Sequence, residues 1–526
     1  MKLFTIGDSI SQGFMSLAAA RTDLCYSTLI ARSMGMIIGS DYHYPEWSAG
    51  GLPAIFVNLE KLLRRLDEKY RSDIKAFDGL TLPIVIEQVL NDAERYYERD
   101  KGNSDEPYSG GVEFFHNVAI QGFDVADSWM VTPKVCRKQI LSSNQAGEGK
   151  DNLFASPNAA FYRTALKVLN PSLKPEYDNF SQLEWLKKHA TNPQEGVENL
   201  FLWLGANNAL GTVISLRINQ TPNDPSETLT QPSKNPQTFR EVREAWNLWH
   251  PNDFEAEYKE LLERVDEIMQ ANSNPNWNVF IGTVPLVTIA PLAKGVGPTT
   301  EIEIPGEERP AIYYKYYTYF PLEEDTVRKT DGAYLTLQDA LHIDDCIRKY
   351  NQIITKLVAS KNSRYEKNRY HIVDICKALQ DIAYKRNAGK PQYKFPDYFD
   401  FVYPQVNTKY YHADITGRLR QGGLVSLDGI HPSAIGHGLI AYEFLKKMKS
   451  VGVVSSTDLN WKEIFNKDDL YQKPIPIMHE FYEHEKLAEC IIKLITRNLA
   501  ASQLAKKATA TSKLSTLLDG LAIAKS

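Results

Sequence analysis

Short apolar runs punctuate the chain at residues 2–7, 112–120, 200–204, 277–284 and 370–375. Most lack the alternation of a half-solvated strand, and near-continuous apolar runs are expected where both faces of a sheet are covered. Between them lie stretches with apolar residues at helical spacing, at 57–72, 82–99, 239–271 and 337–360. Strands that alternate with helices predict an α/β architecture with a parallel sheet. In such sheets ligands bind beyond the carboxyl ends of the strands. The residues that follow each apolar run are therefore the first place to look for chemistry.

The first run ends in Gly7-Asp8-Ser9 and passes into a helix-compatible stretch. That places Ser9 at a sharp strand-to-helix turn, beside free N–H groups that favour negative charge. Alone the tripeptide is a weak signal, expected by chance about one time in ten in a chain this long. The run at 112–120 leads to Gln121-Gly122, and the run at 200–204 leads to Gly205-Ala206-Asn207-Asn208. Far downstream, Leu427-Asp428-Gly429-Ile430-His431-Pro432-Ser433 precedes a helix-like stretch. A serine nucleophile needs an imidazole as general base, and the imidazole needs an acceptor that fixes its tautomer. An Asp-x-x-His turn can deliver both from one loop. Acyl transfer also needs donors for an oxyanion, and the N–H groups of Ser9 and Gly122 with the Asn207 amide would make three. Taken one at a time, each residue has a plainer reading: Asp428 and Gly122 as turn residues, His431 as a surface loop residue, Asn207 as a cap.

The ordered set Gly-Asp-Ser at 7–9, Asn-x-Ala-x-x-Gly at 117–122, Gly-x-Asn at 205–207 and Asp-x-x-His at 428–431 resembles the SGNH hydrolases, also called GDSL-type lipases/esterases. The four letters of that name fall on Ser9, Gly122, Asn207 and His431. One departure is visible: the third block of the family usually reads Gly-x-Asn-Asp, whereas this chain has Asn208, at what looks like a structural hydrogen-bonding position. The resemblance implies a three-layer α/β/α sandwich with a mainly parallel, five-stranded sheet. It implies a serine esterase or lipase that hydrolyses carboxylic esters through an acyl-enzyme on Ser9, with catalytic residues Ser9, Asp428 and His431. Its oxyanion hole would be Ser9, Gly122 and Asn207, with no cofactor and no metal. A carbohydrate O-deacetylase of the same fold is the alternative within the class. A catalytically silent binding protein is the alternative from another class, and the retention of Ser9, Asp428 and His431 speaks against it.

Because the blocks are spread from Ser9 to His431, one domain must draw on residues 1–450, with segments inserted at about 15–111, 121–196, 211–238 and 286–333. The insertions read as decoration or as a cap over the active-site mouth. Segment 211–238, rich in Asn, Thr and Pro, reads as a long surface loop. Residues 313–320 hold six aromatics in eight positions, which suits either an aromatic pocket wall or a β-hairpin strand packed on the body. Trp47 with residues 50–53, and Phe123 with Trp129, are further candidates for the cleft border. Residues 451–526 read as a helical extension. Leu487, Ile491, Ile492, Leu494 and Ile495 would pack on the domain or pair two copies of the chain.

Composition narrows the field. The net charge of −5 over 526 residues, with no basic stripe interleaved with aromatics, argues against nucleic-acid binding. The five cysteines are scattered without a Cys-x-x-Cys pair, which argues against a disulfide framework or a zinc site and fits a reducing compartment. His479 and His484 are five residues apart, about 140° around a helix and so on different faces, which fails zincin spacing. No transmembrane run and no leader pattern are apparent, so the expectation is a cytoplasmic protein, with secretion left open. The expected partner is a small-molecule or lipid ester. The 28 Tyr and 21 Phe lean toward a lipidic or aryl ester.

Overall fold

Every residue of the first apolar run from Leu3 to Gly7 is buried, and in the computed structural model it forms the first strand. The structure describes residues 1–18, 21–47, 58–70, 88, 104–108, 111–146, 157–226, 243, 246–320, 322, 324, 334–484, 488 and 491–496. Among them the strands are β1 (Leu3–Gly7), β2 (Asn199–Trp203), β3 (Asn278–Gly282), β4 (Ala293–Ile302), β5 (Ala311–Tyr319), β6 (Leu335–Thr336), β7 (Tyr370–Val373), β8 (His412–Ala413) and β9 (Leu419–Gln421). The central sheet has the order β1-β2-β3-β7, all neighbours parallel, with Leu3 opposite Asn199, Asn199 opposite Asn278, and Val279 opposite Tyr370.

The sheet therefore has four strands where five apolar runs were expected. The run at 112–120 lies along the free edge of β1 without becoming a regular strand. Thr5 N–H donates to His116 O at 2.8 Å, Val118 N–H to Thr5 O at 3.0 Å, and Ile120 N–H to Gly7 O at 3.2 Å. Only Thr5 and Asn117 form a bridge. Between the Val118 and Ile120 bonds, Val118 O accepts from the Gln182 side chain at 2.6 Å.

Side chains alternate to opposite sides of the sheet and seed two cores. Phe4, Ile6, Leu200, Leu202, Val279 and Ile281 face one cluster with residues of helices Gln182–Ala190, Pro251–Gln270 and Leu337–Asn362. Leu3, Phe201, Trp203, Phe280 and Val373 face the other with helices Tyr26–Ser33 and Ala434–Ser450. Helices thus cover both faces of an α/β sheet, which is why its strands are mostly apolar, with Thr5, Asn199, Asn278 and His371 as the polar exceptions. Helix Pro251–Gln270 starts later than the periodicity at 239–271 predicts, since Pro251 occupies its first turn and His250 caps it. Helix Leu337–Asn362 opens on a capping box from Thr336 and Asp339. The expected helix at 57–72 is present as Leu59–Tyr70, while 82–99 lies, Gln88 apart, outside the described residues.

The aromatic run belongs to a hairpin. β4 and β5 pair antiparallel, β6 adds to β5, and Tyr313 and Tyr317 are fully buried against the body. Tyr313 OH donates to Asp344 Oδ2 at 2.7 Å, and Arg386 donates to Tyr317 OH at 3.0 Å and to Asp344 Oδ2 at 2.8 Å. The tyrosines anchor the hairpin to a buried ion pair. Segment 211–238 opens as helix, since Asn207–Ser215 runs into it, and residues 227–238 lie outside the described set. At the far end Ile491, Ile492, Leu494 and Ile495 are buried in the larger core cluster, whereas Leu487, Cys490 and residues 500–526 fall outside the described residues. Among the described residues Cys25, Cys136, Cys346 and Cys376 are buried and form no disulfide. Among the described residues no helix is long and apolar enough to cross a membrane.

Removing one partner of the buried Asp344–Arg386 pair would strand a buried charge. Arg386→Met should lower the unfolding free energy by about 3–5 kcal/mol in a denaturant titration. A loss of less than about 1 kcal/mol would show that the pair is no keystone of the hairpin.

Candidate active site

The turn after β1 is shaped by Gly7. A Cβ there would stand 2.2 Å from Ser11 Oγ and 2.9 Å from the Trp203 carbonyl oxygen, so only glycine allows so tight an exit. Asp8 then caps the short helix Ser9–Gln12, its Oδ1 accepting from Ile10 N–H at 3.1 Å. The result fixes Ser9 at the carboxyl edge of the sheet. Ser9 Oγ lies 2.9 Å from His431 Nε2, and His431 Nδ1 lies 2.9 Å from Asp428 Oδ2. All three side chains are buried, and the Phe14 ring packs against the imidazole at 4.7 Å between centroids.

Asp428 governs the arrangement. Its Oδ1 accepts from the N–H groups of Ile430 and His431, each at 2.9 Å, and from Ser426 Oγ at 3.3 Å. Its Oδ2 accepts from Leu17 N–H at 3.0 Å as well as from His431. Burial pushes this carboxyl up, yet the His431 ring and the hydrogen bonds outweigh it and hold it below the usual carboxylate range. An ionised carboxylate only accepts, so His431 Nδ1 carries the proton and Nε2 is left to accept from the Ser9 hydroxyl. The stability tied to this carboxylate is present above the ordinary carboxylate value and is lost as pH falls through its lowered one.

Leu17 reaches Asp428 through a tight turn. Met15 and Ala18 exchange backbone hydrogen bonds of 2.7 and 2.9 Å, with Ser16 and Leu17 at φ of 51° and 66°. Positive φ at both central residues matches the twist of a two-residue hairpin and is strained for residues other than glycine. The strain is offset by what the amides gain, because Ser16 N–H donates to Ser426 Oγ at 2.9 Å while Leu17 N–H meets Asp428. Nothing in the sequence marks these two positions, since backbone amides are identical in every residue but proline.

The two remaining candidates lie beside Ser9. The Asn207 amide donates to Phe123 O at 2.8 Å and, at 3.4 Å, to Asp8 Oδ2. Gly122, at φ 74°, sits between Gln121, whose N–H donates to Gln12 Oε1 at 3.0 Å, and the Phe123 carbonyl held by Asn207. The structure thus brings Ser9, His431 and Asn207 to one cavity, with Asp428 buried behind the His431 ring, while Gly122 stands beside Phe123 and, like Asp428, does not line that cavity. Asn208 supports this loop, accepting from Val125 N–H at 3.2 Å and donating to Glu257 at 3.5 Å. Behind it Arg243 pairs with both Asp124 and Glu257 in a buried network. Gln182 belongs to the same scaffold, since its Nε2 joins Gly7 O at 2.9 Å to Val118 O at 2.6 Å. Gln182 and Arg243 carry no motif, and only the fold places them here.

None of Trp47, Phe123, Trp129 or the tyrosines of β5 lines the cavity, and residues 50–53 lie outside the described set. No cluster of His, Cys, Asp and Glu suited to a metal ion occurs among the described residues. Chemically, the chain from Ser9 through His431 to Asp428 can move the serine proton to the imidazole and stabilise the cation that forms.

Asp8 is the second buried carboxyl. Burial outweighs the Ile10 N–H, the nearby His431 ring and its own backbone N–H, all of which act to lower it, and pushes it up to about 7. The folded protein therefore holds this proton where the unfolded chain has lost it, and stability falls as pH rises from about 4 to about 7. Asp8→Asn keeps the cap but carries no charge. Its unfolding free energy relative to wild type should grow between pH 4 and pH 8 by up to about 4 kcal/mol. A gap that is constant across that range in chemical denaturation would contradict a raised Asp8. In comparisons with known proteins, no family model, no curated protein and no solved structure matches the chain.

Proposed function

We propose that the protein is a serine-dependent hydrolase of carboxylic esters. The observation that carries this reading is the unbroken hydrogen-bonded chain Ser9–His431–Asp428, each link 2.9 Å. The resemblance of the four sequence blocks to SGNH hydrolases points the same way. In the acylation step Ser9 Oγ attacks the ester carbonyl carbon while His431 Nε2 takes the hydroxyl proton. Asp428 holds the imidazole in place and stabilises the imidazolium. The carbonyl electron pair moves to oxygen, where the Ser9 N–H and the Asn207 amide, both at the cavity, receive the negative charge; Gly122 N–H joins them only on the strength of the sequence resemblance. Of the two Asn207 contacts, the 3.4 Å one to Asp8 is the weaker, and its hydrogen is the one given to the oxyanion. The Phe123 contact meanwhile keeps the amide oriented. Collapse of the intermediate breaks the bond to the leaving alcohol, which takes its proton from His431. Water then enters, His431 removes its proton, and the acyl-enzyme is hydrolysed to acid and free Ser9.

With p-nitrophenyl acetate as substrate, Ser9→Ala and His431→Ala should each lower kcat by about 10³–10⁶-fold. The double variant should be no worse than either, since the residues act as a unit. Asn207→Ala should cost about 10²–10³-fold in kcat. Wild-type turnover in Ser9→Ala would overturn the reading, and full turnover in Asn207→Ala would remove that amide from the oxyanion site.

A further inference from the structure

The cavity that opens on Ser9 and His431 encloses about 920 Å³ of empty space with its solvent-open mouth included. Its polar side chains are Asp8, Ser9, Asn207 and His431 at the reacting end, with Thr408 alone beyond them. The rest of the wall is aliphatic and includes Leu210 and Leu286, then Leu379 and Ile382 from helix Ile375–Ile382, and Leu439 and Ile440 from helix Ala434–Ser450. No aromatic ring lines it. A sugar bound there would bury hydroxyls without partners, at a cost of a few kcal/mol each. An aryl group would find no ring to stack on. A flexible hydrocarbon chain loses only water.

The wall is also held rigidly. Lys385 is buried and donates its ammonium to the carbonyls of Thr288 at 2.8 Å, Ala290 at 2.7 Å and Ala293. Thr288 Oγ1 in turn donates to Asp344 at 2.6 Å and accepts from Arg386 at 2.5 Å. The loop carrying Leu286, Val287 and Ile289 is thereby clamped from both sides. A preformed wall of this kind sets a length beyond which added carbons stay in water.

We infer that this cavity is a subsite for an unbranched alkyl chain of the ester, gripped between helices Ile375–Ile382 and Ala434–Ser450. The inference rests on the ester-hydrolase reading above. It names the substrate class as esters with a medium-length saturated chain, rather than acetylated sugars or aryl esters. Each methylene buried should raise kcat/KM about threefold to fourfold until the cavity is filled, after which the gain stops.

The test varies the two halves of the ester separately. One arm follows p-nitrophenyl esters from acetate to palmitate, and the other follows acetate esters of ethanol to dodecanol. A third measures decanoate binding to Ser9→Ala by calorimetry. The expected result is a stepwise rise and a plateau in one series, which identifies the chain as acyl or alcohol. Decanoate binding should be abolished by Leu379→Trp, and the plateau should come at shorter chains in that variant. If Leu379→Trp does not fold, Ile289→Trp probes the opposite wall. Ser9-dependent turnover that is flat or falling in both series, with no decanoate bound, would overturn the subsite and leave the hydrolase reading intact. Decanoate binding blocked by Leu379→Trp, without Ser9-dependent turnover of any ester, would keep the subsite and overturn the hydrolase reading.

Discussion

A single carboxylate, Asp428, with no exposed surface, ties the two ends of the chain together. A buried, unpartnered carboxylate is costly enough to neutralise itself or unfold its surroundings. Here it collects hydrogen bonds from Leu17, Ser426, Ile430 and both the backbone and ring of His431. Those donors come from segments more than 400 residues apart in sequence. The same turn is joined to the cavity wall, because Leu292 N–H donates to Gly429 O at 2.9 Å. Gly429 makes that approach possible: its φ is 71°, and a Cβ would lie 2.8 Å from Leu292 N. The tautomer of His431, the seat of Ser9 and the edge of the cavity all follow from satisfying one charge.

Around that centre, polar and apolar construction are separated. The polar part is a set of buried ion pairs that set backbone positions. Arg386 with Asp344 fixes the β4–β5 hairpin and the loop near Thr288, and Arg243 with Asp124 and Glu257 fixes the loop that follows Gly122. Such pairs add little net stability against apolar replacements, but each one broken is expensive, so they hold geometry. The apolar part is a cavity with almost no polar group away from the reacting end. A rigid frame around an aliphatic space is what a site needs to discriminate chain length.

Much of this was legible in the sequence, for physical reasons that differ by element. β1, β2, β3 and β7 were visible because strands covered on both faces are mostly apolar and lack the alternation of a half-solvated strand. The run at 112–120 looked the same but pairs with β1 through a few backbone hydrogen bonds and a single bridge, with Gln182 bonded to Val118 O among them. Asp428 and His431 could be expected side by side because an Asp-x-x-His turn lets one loop supply both groups, whereas their link to Ser9 was legible only through the resemblance of the four ordered blocks. The structure places the three in one hydrogen-bonded chain. The aromatic run at 313–320 left two readings open, and burial of Tyr313 and Tyr317 against Asp344 and Arg386 decides for the hairpin strand. Leu17, Gln182, Arg243 and Lys385 were beyond reach, because their roles depend on backbone amides, buried charge pairs and carbonyls gathered from distant segments. The aliphatic cavity was equally hidden, its walls coming from segments spread between Ile10 and Ile440.

The most direct test of the central claim is whether Ser9 is a nucleophile activated by His431. Wild type and His431→Ala would each be incubated with a fluorophosphonate, followed by intact-mass and peptide mass spectrometry. One adduct per chain is expected in wild type, on the peptide containing Ser9, with labelling slowed by at least about 10³-fold in His431→Ala. Absence of label on Ser9 in the folded wild-type protein, or equal labelling rates in the two proteins, would contradict that claim.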